Sequence, residues 1–298
     1  MAAYTHPVKA LLVGINYPST EYTLRGCIND VERVRDFLRT SYGLTQVTVM
    51  TDLNMKESPM YPSRANILAQ LGQLVDSIED DEAGFFDFSG HGLLMSGGES
   101  VLLPADALKS TTGSGTSRVR ALAHTDIHME NKISHSDLWP ILSRLRPRAS
   151  LFVLIDACHS GGLVVEMPYN MELGDVCSIR SSDAGNNGST TGTLVVLSAC
   201  ATNEQSADTS VDGRPTGALT FAFCETLKKM PRPTYAALVK AIRAFMEQNL
   251  PAGFRQTPQI SFNTPRDYCM RTFHIGSEVR PRSITVSPLR DTEGTFWS

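Results

Sequence analysis

Residues 151–162 read LFVLIDACHSGG. Five apolar residues in a row, Leu151 to Ile155, suit a strand buried on both faces and are too few for a helix of ordinary length. The run stops at Asp156, and Cys158, His159 and Ser160 follow before a pair of glycines. An open α/β sheet presents reactive side chains in this way, because ligands bind where loops leave the carboxyl ends of its strands. The remainder of the chain alternates as that architecture requires. Strands are predicted over 9–15, 47–50, 84–88, 151–155 and 194–198, with short ones at 101–103 and 259–262. Helices are predicted over 30–40, from Pro62 onward, and over 136–145, 218–229 and 235–250. In the first of these Val31, Val34, Phe37 and Leu38 share one face. The expected fold class is α/β, a mostly parallel sheet sandwiched between helices.

Composition narrows the function classes. With 41% hydrophobic and 19% charged residues the chain is an ordinary globular one, and a net charge of -4 is no general attractant for nucleic acid or an anionic membrane. No apolar run approaches the roughly 18 residues that span a bilayer. The six cysteines, Cys27, Cys158, Cys177, Cys200, Cys224 and Cys269, stand singly without C-x-x-C pairs. Without a secretory signal they are expected to be reduced thiols in a cytoplasmic, monomeric protein. Residues 1–276 are expected to form one domain: a large part over 8–166, a polar mobile linker over 167–192, and a small part over 193–276. Arg180 is the only basic residue of that linker, and 277–298 reads as an extended or disordered tail.

A second strand end repeats the reactive pattern. The strand GFFDF runs into Ser89-Gly90-His91-Gly92. If it lies beside the strand LFVLI, His91 and Cys158 project from one sheet edge as a thiol nucleophile with an imidazole base. Backbone N–H groups of Gly92 and Cys158 would then hold a developing oxyanion. Either residue alone is more often structural, and the two motifs together carry the inference. His159 competes for the role of base, but a neighbour on a tight turn generally points away. Asp156 and Asp30 lie at the same edge, and two carboxylates there suit a cationic side chain, Arg bidentately. Asp30 as cap of the following helix is the structural alternative.

Five stretches carry a family likeness: ALLVGINY with LRGCINDV, then FDFSGHG, LLPAD, LIDACHSGG and LSACATNEQSAD, together spanning most of the chain. They resemble the metacaspases, caspase-like cysteine peptidases of family C14, and most resemble type I members. The resemblance implies a caspase-like fold with a six- to eight-stranded sheet and a His91–Cys158 dyad. It also implies protein or peptide substrates with Arg or Lys before the scissile bond (P1), bound in an S1 pocket lined by Asp30, Asp156, Ser89 and Cys27. Self-processing in that family occurs at basic residues, which here points to Arg180. No cofactor, nucleic acid or membrane is implied. Many relatives bind calcium through several aspartates, but the matching stretches here keep only Glu99 and Glu166, with His135 and Ser136 where paired acids would fall. A hard cation wants six to eight oxygens, so little calcium stimulation is expected. No Pro-rich or zinc-finger segment precedes the first strand. The competing class is a catalytically weak or inactive interaction protein on the same fold.

Overall fold

The computed structural model describes residues 8–18, 20–109, 122, 126–160, 167–174, 177–181, 192–199, 208–211, 214–249, 256–264 and 266–275. Their elements run β1 (Val8–Gly14), α1 (Cys27–Ser41), β2 (Leu44–Thr51), α2 (Arg64–Ser77), β3 (Ala83–Ser89), β4 (Gly92–Leu94) and β5 (Ser100–Leu102). There follow β6 (Ile133–Ser134), α3 (His135–Leu142), β7 (Ser150–Asp156), β8 (Tyr169–Leu173), β9 (Cys177–Ser181) and β10 (Thr193–Ser198). The last are β11 (Asp208–Val211), β12 (Arg214–Gly217), α4 (Ala218–Lys229), α5 (Tyr235–Asn249) and β13 (Gln259–Phe262).

Eight strands form one sheet in the order β2-β1-β3-β7-β10-β13-β8-β9. The first five are mutually parallel, and β13, β8 and β9 add on antiparallel. The central strands are mostly apolar, Asp87 of β3 excepted, because both faces are covered. One face packs Leu12, Phe85, Leu154 and Leu197 with Val31, Val34 and Phe37 of α1, Phe223 of α4 and Ile242 of α5. The other packs Leu11, Val13, Phe86, Phe88 and Val153 with Ile67 and Leu71 of α2 and Leu138 of α3. Helix starts follow local chemistry: Ser63 caps α2 by accepting the Asn66 N–H, and Ser134 with Asp137 forms a capping box on α3. This is the expected α/β architecture, mostly parallel and enclosed by helices.

Four expectations need correction. First, part of the linker is strand: β8 pairs with β13, and β9 extends the sheet beyond it, so Arg180 sits opposite Asn170 in the outermost strand. Its polar composition is that of an edge, where Met171 and Ile179 pack on the core while the outer backbone side meets water. Second, Cys177 and Cys269 form a disulfide with Cα atoms 5.9 Å apart, while Cys27, Cys158 and Cys224 are thiols. The pair is 92 residues apart in sequence, so no local spacing signals it. Third, α1 starts at Cys27 with Gly26 as its cap, so Asp30 is not the capping residue. Fourth, α3 ends at Leu142, three residues short, with Pro140 inside its last turn. Glu166, Cys200 and the tail 277–298 lie outside the described residues.

Candidate active site

Register brings the two reactive strand ends together. In the parallel β3–β7 pair Ser89 faces Asp156, and the Gly90 N–H donates to the Asp156 carbonyl at 3.2 Å. His91 and Cys158 are each two residues beyond that rung. Gly92 packs directly on the Cys158 turn: a Cβ there would lie 2.1 Å from the Cys158 carbonyl oxygen, so only glycine fits. The turn bends through His159, whose φ is +55°, and is fastened by buried Ser160, whose hydroxyl oxygen accepts the Ala199 N–H at 3.2 Å. Cys158 is half-buried.

His91 is held at its ring and at its backbone. Nε2 lies 2.6 Å from the Tyr22 carbonyl oxygen, which can only accept, so Nε2 carries the proton and Nδ1 is the basic nitrogen. Burial holds the imidazole pKa below its ordinary value, opposed by the Tyr22 bond. The imidazole is therefore neutral, and able to take a proton, at neutral pH. Leu103 N–H donates to the His91 carbonyl at 3.0 Å, and Met95 N–H donates to Glu99 at 2.7 Å in the same hairpin. In an antiparallel ladder these rungs alternate with pairs whose polar groups face away, so Gly92 turns its N–H away from β5.

Asp30, Ser89 and Asp156 also converge. Ser89 Oγ donates to Asp30 Oδ2 at 2.8 Å, and Thr216 Oγ1 and the Gly217 N–H donate to the same carboxylate at 2.5 and 2.9 Å. Asp156 Oδ2 accepts the Thr220 N–H at 2.9 Å. A Cβ on Gly217 would lie 2.3 Å from Asp156 Oδ2 and 2.8 Å from Asp30 Oδ2, so the two acids flank one glycine. Burial first, and then the neighbouring Asp156 charge, raises the Asp30 pKa to about 7. Such a pair holds a proton or awaits a cation. Cys27, the fourth S1 candidate, begins α1, and its N–H donates to Asn16 Oδ1 at 3.1 Å.

A third carboxyl was not singled out from sequence. Asp87 is fully buried on β3, one layer below Ser89, with neither oxygen hydrogen-bonded among the described residues. Burial, then Asp30 and Asp156, push its pKa well above the usual carboxylate range. Tyr17, Tyr22, Thr216, Gly217 and Thr220 were likewise not assigned roles. Tyr17 ends the quoted motif ALLVGINY and Tyr22 lies just before LRGCINDV, but nothing local in the sequence links them to His91.

The described members of the calcium set are engaged elsewhere. Glu99 is ion-paired with Lys132 at 3.1 Å, and His135 stacks on Trp139. Among the described residues no group of three or more His, Cys, Asp or Glu side chains is arranged to hold a metal ion. Among the described residues, the matching positions offer a cation one carboxylate, Glu99, already paired with Lys132.

Comparison with known proteins follows the same lines. The profile of the metacaspase, peptidase C14 domain matches residues 8–168. The chain belongs to the metacaspase family. It is 30% identical to Metacaspase-1B of Aspergillus niger over 88% of its own length and 66% of that relative's, just under two thirds. It is 29% identical to Metacaspase-1 of Schizosaccharomyces pombe over 87% of its length and 68% of that protein's. A Geobacter sulfurreducens protein of known crystal structure superposes with a TM-score of 0.56 at 17% identity, over 89% of this chain and 97% of that one. At that identity the likeness concerns fold alone. Among the described residues no helix is long and apolar enough to cross a membrane.

Proposed function

We propose that this chain is a cysteine endopeptidase that cleaves after Arg or Lys through Cys158 and His91. The observation that carries the reading is the Ser89–Asp156 register, which sets the ends of β3 and β7 side by side. His91 Nδ1 removes the Cys158 thiol proton, and the thiolate attacks the scissile carbonyl carbon. The oxyanion is held by the N–H groups of Gly92 and Cys158. Collapse breaks the C–N bond, and the amine leaves with the proton from His91. Water, deprotonated by His91, then hydrolyses the thioester and frees the thiol. Asp30 and Asp156 bind the P1 cation, with Ser89 and Cys27 beside them, and no metal takes part.

An Arg-P1 chloromethylketone tests the whole reading. It is expected to alkylate Cys158, as located by peptide mass, and to leave Cys158→Ala unlabelled. Turnover of an Arg-P1 peptide should be abolished in Cys158→Ala and His91→Ala. In Asp156→Asn it should fall by about 30-fold or more, the equivalent of roughly 2 kcal/mol for a buried cation that loses its partner. Rates should be the same in EGTA and in micromolar calcium. An unlabelled Cys158 would favour the non-catalytic interaction protein. Faster cleavage after Asp than after Arg would overturn the S1 assignment, and steep micromolar activation would overturn metal independence.

A further inference from the structure

We propose that Tyr17 is a positioning residue for His91, its hydroxyl inserted as a spacer into the backbone rung that carries the histidine and its ring set against the imidazole. This rests on His91 being the base of the peptidase reading above. The β4–β5 hairpin has a regular antiparallel pattern. Met95 N–H reaches the Glu99 carbonyl at 2.7 Å, and Leu103 N–H reaches the His91 carbonyl at 3.0 Å. In such a ladder the His91 N–H should return the bond to the Leu103 carbonyl. It does not. The His91 N–H donates to Tyr17 Oη at 2.9 Å, and Tyr17 Oη donates to the Leu103 carbonyl at 2.5 Å. One oxygen therefore stands between the two groups of the rung's second bond and satisfies both of them.

The ring does a second task. Its centroid is 4.7 Å from that of His91, and the side chain is buried. The ring helps exclude water from the imidazole. Gly90 permits the approach, since a Cβ there would lie 2.8 Å from Tyr17 Oη.

Tyr17 is fastened more firmly than a loop tyrosine needs to be. Its φ is +52°, a left-handed conformation costly for an aromatic residue and kept only where surroundings over-determine it. Asp52 Oδ2 accepts the N–H groups of Asn16 and Tyr17 at 3.0 and 2.6 Å. The Tyr17 carbonyl accepts the Thr20 and Thr23 hydroxyls at 3.0 and 3.1 Å. The same loop supplies the Tyr22 carbonyl to His91 Nε2, and Asn16 Oδ1 holds the first N–H of α1, the helix of Asp30. A single loop thus grips the backbone and ring of the base and the start of the helix bearing one candidate S1 acid.

Tyr17→Phe keeps the ring and deletes the spacer. The rung then closes directly or leaves two buried groups unpaired, and either outcome moves Nδ1 relative to Cys158. Small displacements of reacting groups cost up to about 100-fold in rate. We expect kcat for an Arg-P1 peptide to fall about 10- to 100-fold with KM changed less than about twofold. The His91 amide should lose protection from hydrogen exchange, and the His91 ring titration, followed by NMR on the whole chain, should move in Tyr17→Phe. Wild-type kcat together with an unmoved titration and unchanged amide protection would overturn the proposal. If the wild type hydrolyses nothing, the peptidase reading fails, and the His91 titration and exchange still decide whether Tyr17 positions it. Should Tyr17→Phe not fold, Asp52→Asn, which loosens the loop and keeps the hydroxyl, is expected to give a smaller kcat loss with the same change in titration; wild-type behaviour in both readouts would equally overturn it.

Discussion

Asp87 is the residue whose chemistry contrasts most with its surroundings. It lies between Leu12 and Leu154 on neighbouring strands, buried and without a hydrogen-bond partner among the described residues. With Asp30 and Asp156 it makes three carboxyls on one sheet face, and Cys224 of α4 is near enough for its thiol to be pushed up by burial first and also by the Asp87 and Asp30 charges. The folded-state values of Asp30 and Asp87 are raised. Folding therefore retains protons that the unfolded chain releases above about pH 4, and these groups make stability fall as pH rises from there through the Asp30 value of about 7. Asp87→Asn removes one such group. The difference in unfolding free energy between variant and wild type is expected to move in the variant's favour from pH 5 to pH 8, read from urea unfolding at each pH. Parallel curves would refute a raised Asp87 pKa. The folded value of His91 is lowered instead, so its contribution to stability is lost on the acid side.

At the scale of elements, the strand that ends at a glycine matters as much as the two that end at reactive groups. β12 pairs with β11 and runs into α4 through Gly217, delivering the Thr216 hydroxyl and the Gly217 N–H to Asp30 and the Thr220 N–H of α4's first turn to Asp156. This junction belongs to the small part of the chain, while both acids belong to the large part. The candidate S1 site is thus assembled across them. Gly217→Ala would drive a methyl group into Asp156. It should cost about 1–3 kcal/mol of stability, as overpacking does, and also remove most Arg-P1 turnover while sparing alkylation of Cys158 by iodoacetamide. Wild-type turnover in this variant would mean that the acids do not bind P1.

At the scale of the whole molecule, one disulfide ties the linker segment to the small part. Cys177 stands in β9, three residues before Arg180, and Cys269 lies in the segment after β13, where Tyr268 stacks on Phe262. A cut after Arg180 would leave the two cysteines on different fragments, joined by their disulfide. Processed protein is expected to migrate as one species without reductant and as two with it, and not to form in Cys158→Ala or Arg180→Ala. Fragments that separate without reductant, or a cut elsewhere in active enzyme, would refute this. Arg180 is paired in a strand and bonded to Glu172 at 3.2 Å, so β9 must leave the sheet edge before cleavage. Cys177→Ser should therefore be processed faster. Its stability should fall by at most about 4.6 kcal/mol, the loop-closure estimate for 92 residues.

Sequence alone determined the alternating architecture, the buried central strands and the two motifs that end in His91 and Cys158. These are local signals: apolar runs of strand length, helical spacing of Val31, Val34 and Phe37, and reactive residues at strand mouths. It also nominated Asp30 and Asp156, whose charge is visible without coordinates. Tertiary structure alone decided which strands are neighbours, and hence that Ser89 faces Asp156. It decided that Tyr17 and Tyr22 reach His91 from 74 and 69 residues away, and that Thr216 and Gly217 close on Asp30. It also turned part of a polar linker into edge strands and paired two scattered cysteines. The division has one physical cause. Periodicity records which side of an element meets the core, whereas hydrogen bonds and disulfides between distant segments depend on where the sheet's register sets them down.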